Sequence, residues 1–594
     1  MRFSVFLSVC RASKEEPNIH TKDITATGAE EANRPTSHQD QSLGTSIRRA
    51  DLIAYSGLFI LATIIILPVL LKGFPAGFDA VRHYRWTSQF IDALRDGAIY
   101  PRWLPSANDG QGSPVILYYP PLPFYVSAAF SLIVGNTLLG MSLSCWLALA
   151  LSGLTMYGFT RSLLSSGISF AAAALYMLAP YHLVDLYQGS TVSEFWSFVW
   201  VPLLLDAVRR VVAGKSLRAI AHVAVGYALL LLTHVPVAFL VSLALGVYAV
   251  SLTRKLRALL RITAGLALGA GIAAIFLIPV IFETSYVRLF FKFDYRDYFV
   301  FEHLRAALTS TRFSSPSLFT YTLDIDVVAV GLLGLFLASC LLLWTEWRSG
   351  QINAPWSKLG LAVWVVTALS FLMSTRLTAP IWVVTPGLTF LFFPYRWLVA
   401  ASAGTSFLTA MSIRTVMRDR KRRVLKIGVL AIVVALNLAI TAAVVWRAPH
   451  DPAGLEEGLT LRDTREYRPV WWDGQLQREL WEQAAFVESG AAEVRAIDDT
   501  GIRQSYSINV ATESVIAFRP LYFPGWIALV DGKQRQISPS ADGHIQLIFD
   551  PGEHDVTLSF ENTWPRAAGV AVSAISLVGL IVMLAAARRT RLNL

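Results

Sequence analysis

The sequence predicts a polytopic α-helical membrane protein of about twelve spans with a small β-sandwich near its C-terminal end. Three observations carry this. The 594 residues are 54% apolar and only 15% charged, with a mean hydropathy of +0.50. Apolar runs of membrane length recur along most of the chain. One late stretch instead alternates polar and apolar residues between turn signals. A chain this poor in charge cannot cover itself with a polar surface. A soluble enzyme, a nucleic-acid binder and a disordered protein are thereby excluded for the chain as a whole. The excess of 51 Lys+Arg over 41 Asp+Glu gives a net charge of +10. Basic residues at the cytoplasmic ends of spans produce such an excess, so no nucleic acid is implied. The three cysteines exclude a disulfide scaffold and show no metal-ligand spacing.

Residues 1–50 are polar and aperiodic, the pattern of a disordered cytoplasmic tail. Apolar runs follow at 52–71, 138–160, 165–181, 195–208, 219–235, 237–253, 261–282, 326–344, 359–374, 396–413, 424–446 and 567–587, against the roughly 17–25 residues that a span needs. The transmembrane domain is therefore placed at 51–446. The stretch 121–135, after Pro120-Pro121, is read as an interfacial or re-entrant helix. Basic clusters at Arg48-Arg49, Arg161, Arg209 to Arg218, Arg254 to Arg261, Arg348/Lys358, Arg414 to Lys426 and Arg588 to Arg591 recur after every second run. Both termini are then cytoplasmic, and 567–594 is a last span with a basic tail. The predicted location is a membrane that the chain crosses many times.

The remaining connections face outward: a first outer loop at 72–137, 182–194, the turn at His234, 283–325 (with His303), 375–395, and 447–566. The last is an extracytoplasmic domain. Residues 474–488 read as an amphipathic helix, and Asp531-Gly532, Asp542-Gly543 and Pro551-Gly552 separate short strands that read as the sandwich. Tyr522, Phe523 and Trp526 suit either its core or stacking on a sugar ring.

Chemistry-capable residues crowd these outer connections. Asp79 and His83 are four apart, which places them on one face of a helix, with Arg82 and Arg85 beside them. An acceptor, an imidazole and cations in one patch suit phosphate recognition and proton transfer; an amphipathic interfacial helix also accounts for them. His182, Asp185 and Glu194 sit between two runs, and ionisable groups at membrane depth are costly unless used. Capping by Thr191 or Ser193 is the plainer account of Glu194. His234 interrupts a Leu-rich run. Arg396, between Tyr395 and Trp397, is a cation at headgroup level, suited to a lipid phosphate or to anchoring. No H-E-x-x-H pair, P-loop or dinucleotide fingerprint is present, so a donor would be a membrane lipid rather than a soluble nucleotide.

The stretches "GFDAVRH", "YPRWLPSANDGQGSP", "YYPPLPFY", "APYHLVDLY", "LLTHVP", "FPYRWL" and "REYRP", with "YFPGWIALVDGK" and the strands after it, resemble a bacterial membrane family labelled 6-pyruvoyl-tetrahydropterin synthase-related. This family looks similar to YfhO-type proteins and to the GT-C superfamily of lipid-linked-sugar glycosyltransferases. The resemblance implies a GT-C-like membrane domain in which Asp79 is the catalytic base or a metal ligand, with His83 and Glu194 as further catalytic candidates. It implies a polyprenyl-phosphate-linked sugar as donor, inversion at the anomeric carbon, and a glycan, lipid or protein acceptor. Arg82, Tyr100, Arg102, Trp103, His182, Asp185, His234 and Arg396 are the candidate substrate-binding residues. A divalent ion, Mg or Mn, is a possible cofactor. Some relatives carry a second acidic residue in that loop, and Asp92, Asp96 and Asp109 stand where one could fall. Pterin synthases are small soluble enzymes with a histidine-bound zinc, an architecture absent from this sequence. A lipid or polysaccharide transporter and a non-catalytic envelope assembly protein are the competing readings, although no duplicated halves are visible.

Overall fold

The computed structural model describes residues 49–592, apart from 215, 290–297, 303–317, 349–353, 386–387, 389–392, 419–422, 462, 473–482 and 500. His303 and residues 474–482 therefore lie outside the described residues. Helix α1 (Arg49–Lys72) is followed by α2 (Ala80–Arg95), α3 (Leu122–Val134) and α4 (Thr137–Arg161). Next come α5 (Ser166–Met177), α6 (Pro180–Val184) with a π-helical turn at Asp185–Gly189, α7 (Val192–Ser197), α8 (Trp200–Ala213), α9 (Leu217–Leu231) and α10 (Val235–Leu252). The bundle continues through α11 (Leu256–Ile272), α12 (Ala274–Glu283), α13 (Leu318–Arg348), α14 (Ala354–Met373), α15 (Leu398–Arg418) and α16 (Arg423–Trp446). Seven strands follow, and α17 (Trp564–Leu592) closes the described chain.

Every predicted apolar run forms helix, but fewer helices than twelve qualify as spans. Among the described residues, six are long and apolar enough to cross a bilayer: α1, α4, α10, the Asp324–Thr345 part of α13, α16 and α17. Counting two bent pairs, α5 with α6 and α11 with α12, raises this to eight. The difference has local causes. The α11–α12 pair bends by 75° at its break. Helix α15 buries Ser402, Thr405, Ser406, Thr409 and Ser412, whose hydroxyls lower its hydropathy; Ser402, Ser406, Thr409 and Ser412 donate to carbonyls one turn back. Helix α3, at about 20 Å for 13 residues, is too short for a core of about 30 Å. It ends at Gly135, whose φ of +71° forms a left-handed cap.

Large apolar side chains on α1, α16 and α17 face outward, Ile53, Val424 and Ile575 among them, which only lipid tolerates in such number. Helices α9 and α11 meet through Gly265 and Gly269, a G-x-x-x-G pair. A Cβ at Gly269 would lie 2.6 Å from the Ala224 carbonyl oxygen, so the backbones touch only because no side chain intervenes. At one end of the bundle Arg161 holds Asp51 at 2.6 Å, Arg209 and Arg210 grip Asp206, and Arg209 reaches Ser162. The sheet sits at the other end, with α2 and the loop around it.

The strands are β1 (Ala485–Asp499), β2 (Arg503–Leu521), β3 (Trp526–Val530), β4 (Lys533–Arg535), β5 (Ser538–Pro539), β6 (His544–Phe549) and β7 (Gly552–Phe560). The expected helix at 474–488 gives way to strand from Ala485, because Phe486 and Val487 pair with Ala517 and Ile516 across the ladder. All seven strands join one antiparallel sheet in place of two separate ones. Long β2 pairs with β1 throughout, with β7 along Arg503–Val510 and with β6 along Ser514–Leu521. Asp531 and Gly532, at φ +52° and +76°, turn β3 into β4, the conformation that Asp-Gly favours in a two-residue hairpin.

A buried ion pair fastens the sheet to the bundle. Arg566, at the head of α17, donates to Glu283 at the end of α12 at 3.1 Å, with both side chains almost fully buried. It also donates to the carbonyls of Glu561 and Pro524, while Thr563 donates to Glu283. Arg566→Met leaves the Glu283 carboxylate buried without its cation and should cost about 3–5 kcal/mol of stability. The double variant Arg566→Met/Glu283→Gln should recover most of that loss in thermal unfolding of the detergent-solubilised chain. Equal destabilisation of both variants would refute this account.

Candidate functional site

The site is assembled by a backbone docking between two distant loops. Phe78 N donates to Gln188 O at 3.1 Å and Asp79 N to Gly189 O at 2.8 Å. Gly77 N donates to Ser190 Oγ, which in turn donates to the Pro75 carbonyl. This approach requires Gly77: a Cβ there would fall 2.4 Å from Gln188 O. The other partner is the π-helical turn Asp185–Gly189, closed by Ser190 at φ +52°. π-turns of this kind are rare and recur at functional sites.

Asp79 therefore stands at the first turn of α2, with its carboxylate turned away from capping. It accepts instead from Arg82 Nη1 at 2.6 Å. The Arg82 guanidinium lies over the Phe78 ring at 5.4 Å, and its side chain stays 35% exposed. One turn into the helix, His83 is only 2% exposed. Trp86, Tyr119 and Phe124 surround its ring, and the Tyr119 hydroxyl lies 3.5 Å from Nε2. Burial pushes the His83 pKa down to about 4, against the pull of Asp79 and with a smaller downward push from Arg82. The imidazole is neutral at ordinary pH and is no cation for a phosphate.

Beneath the π-turn lies a second charged group. Glu194, near the start of α7, is 2% exposed. It accepts from Tyr181 at 2.7 Å and from Arg396 Nε at 2.8 Å. Asp185 accepts from the Tyr321 hydroxyl at 2.8 Å. Tyr395 packs edge-on against Tyr321 at 5.9 Å. His234 caps α10, its Nδ1 accepting from Val237 N at 3.2 Å, and the guanidinium of Arg396 acts on it. Tyr119 feels Asp79, Arg396 and Arg82 together and so links the two charged groups. Tyr467 completes the wall, edge-on to Trp86 at 5.4 Å and 6.3 Å from Tyr119.

Of the predicted residues, Asp79, Arg82, His83, Asp185, Glu194, His234 and Arg396 come together. His182 lies deeper, stacked on Phe198 at 3.9 Å and bonded to the Tyr176 carbonyl. Tyr100, Arg102 and Trp103 go elsewhere. Trp103 packs among Phe523, Trp526 and Phe560 in the core of the sheet. Arg102 stacks on Tyr100 and donates to Asn562. Phe523 and Trp526 are buried with Trp103, so neither offers a face to a sugar. Arg85 is also turned away: with Trp86 it binds Asp463, which Asn108 holds from the other side. Asp92 pairs with Arg95 on the surface of α2. The residues not foreseen are the tyrosines 119, 181, 321, 395 and 467. Four of them stand inside the motifs "YYPPLPFY", "APYHLVDLY", "FPYRWL" and "REYRP".

Among the described residues no group of three or more His, Cys, Asp or Glu side chains is placed to hold a metal. The Asp79 carboxylate is engaged by Arg82 and that of Glu194 by Arg396. A divalent ion at either carboxylate would have to share it with an arginine or displace that arginine.

Two expectations follow. Gly77→Ala should cost about 1–3 kcal/mol, because backbone must move to admit the methyl group; an unchanged melting temperature would show that the docking is slack. The folded His83 value lies below the ordinary 6.5. The unfolded chain therefore takes up a proton that the folded chain refuses, and stability falls as pH drops from 6.5 towards 4. His83→Gln should flatten that limb, and a His83 ring titrating near 6.5 by NMR would contradict the burial account.

Comparison with known proteins gives the following. Residues 116–448, more than half of the chain, match the 6-pyruvoyl-tetrahydropterin synthase related domain, described as a membrane protein. An uncharacterized protein of Lactococcus lactis subsp. cremoris is 29% identical over 157 residues, 26% of this chain and 26% of its own length. The arabinofuranosyltransferase AftD of mycobacteria aligns with 69% of this chain and 28% of its own, at 16% identity and a TM-score of 0.41. The archaeal oligosaccharyltransferase AglB of Archaeoglobus fulgidus, solved with an inhibitory peptide and a dolichol-phosphate, aligns with 70% and 61%, at 12% identity and a TM-score of 0.41. The chain thus spans about a quarter of the bacterial relative and less than two thirds of either solved structure. It belongs to the 6-pyruvoyl-tetrahydropterin synthase related family of membrane proteins.

Proposed function

We propose that this protein is a membrane glycosyltransferase. It moves a sugar from a polyprenyl-phosphate donor to a hydroxyl of a glycan, lipid or protein acceptor. The observation that carries the reading is the Asp79–Arg82 pair: a carboxylate and a guanidinium side by side, partly open to solvent, where two loops meet above the Glu194–Arg396 ion pair. Basic clusters gather at the end of the bundle away from the sheet. This supports assigning the sheet-bearing end to the outer face of a bacterial inner membrane.

In this reading the acceptor hydroxyl gives its proton to Asp79 as its oxygen attacks the anomeric carbon. The bond from that carbon to the phosphate oxygen breaks, the configuration inverts, and the polyprenyl phosphate leaves as an anion. Arg82 lies close enough to Asp79 to stabilise the charge developing on that phosphate. Arg396 is already neutralised by Glu194 and serves to hold the floor of the site. Neutral His83 fixes the Tyr119 hydroxyl beside Asp79.

Asp79→Asn keeps the shape of the side chain and removes the base. Transfer from a radiolabelled polyprenyl-phosphate sugar by the purified chain should fall about 10²–10⁴-fold, with the melting temperature little changed. Undiminished transfer by this variant would reject Asp79 as the base. Movement of the lipid-linked sugar across liposomes with no transfer product would reject the enzyme reading in favour of a transporter.

A further inference from the structure

We propose that Arg82 is the resident cation of the Asp79 carboxylate, a guanidinium built into the place where a divalent metal would otherwise bridge the carboxylate and a substrate phosphate. The pair then binds a phosphate-linked substrate with no metal between protein and phosphate. This rests on the reading of the site as a phosphate-sugar site and names how that phosphate is held.

Among the described residues, the surroundings of Asp79 supply one seat for a cation, and Arg82 fills it. Nη1 is 2.6 Å from Asp79 Oδ1, and the guanidinium lies over Phe78. The other charge acting on it is Glu466, from the segment that carries Tyr467 across the site. The other described neighbours of Asp79 are poor ligands for a hard ion. Tyr119 and Tyr467 are partly buried phenols, and the His83 ring is packed among aromatic side chains with Nε2 facing Tyr119. Mg²⁺ is held through carboxylates, with substrate phosphates and water completing its shell. Here the Asp79 carboxylate already accepts from the guanidinium.

The same geometry leaves Arg82 able to bind substrate. Among the described residues only Nη1 has a hydrogen-bond partner, and the side chain is 35% exposed. The Nε–H and Nη2–H groups form the planar edge that takes two phosphate oxygens at once. Asp79 Oδ1 holds the arginine in place while the arginine presents this edge. A guanidinium keeps its charge at every working pH, whereas a metal must compete with protons for its ligands.

The test uses the purified full chain in detergent after chelation, with Mn²⁺ followed by electron paramagnetic resonance and geranyl phosphate followed by calorimetry. The expected results are no stoichiometric Mn²⁺ binding and the same geranyl phosphate affinity in EDTA as in Mg²⁺. Arg82→Ala should weaken geranyl phosphate binding at least tenfold, Arg82→Lys should restore part of it, and both should fold, since the side chain is partly exposed. One bound Mn²⁺ that is lost in Asp79→Asn, affinity that needs a divalent ion, or unchanged binding by Arg82→Ala would each overturn the proposal. These readouts need no turnover. Absence of glycosyl transfer with metal-free phosphate binding intact would therefore count against the proposed reaction and leave the role of Arg82 standing.

Discussion

The docking of Gly77–Asp79 on the turn at Gln188–Ser190 is the constraint from which the site follows. Two backbone hydrogen bonds and one through Ser190 join segments more than a hundred residues apart. They fix where α2 starts, and hence where Asp79, Arg82 and His83 stand relative to Glu194, which follows the same turn by a few residues. The turn can serve because it stops at Ser190: the carbonyls of Gln188 and Gly189, the last two of the π-helical turn, have no donor within it and are free to accept from the other loop. A local irregularity in one loop thus becomes the reference point for the other.

Around that point the charges are arranged by depth. The deeper pair, Glu194 with Arg396, is nearly removed from solvent and closed by Tyr181. Charges this far from water are costly unless paired and hydrogen-bonded. Neither member has an evident reason to leave the other for a ligand. The shallower pair, Asp79 with Arg82, keeps contact with water and can exchange partners at modest cost. The two pairs contain the same chemical groups, and burial separates the closed pair from the one open to exchange.

Much of the helical bundle was legible because apolar runs of the required length declare themselves, and the strands were legible through alternation and the Asp-Gly turn. The number of spans was not, because length in sequence ignores a bend such as that at Ala273 and hydropathy undercounts a helix like α15, whose hydroxyls donate to its own carbonyls. At the site, Asp79, Arg82 and Glu194 could be found from charge placed beside apolar runs. Trp103 and Arg102 misled for a related reason: the loop that holds them carries the same mixture of aromatic and basic residues, but it packs on a sheet whose position no local pattern encodes. The tyrosines escaped notice because a tyrosine near a membrane surface is ordinary; only tertiary structure turns five of them toward the same charges.

The family label adds a constraint on the chemistry. A pterin synthase of the soluble kind gathers histidines around zinc, and among the described residues no such group forms. His83 and His182 are instead packed among aromatic rings, and His234 caps a helix. Imidazoles held in this way are fixed in orientation, which suits them to position hydroxyls and to terminate helices. In the proposed reaction the reactive burden falls on the carboxylate and guanidinium at the first turn of α2. Their availability depends on the glycine two residues before Asp79, which lets the backbone approach closely enough to hold them at the mouth of the site.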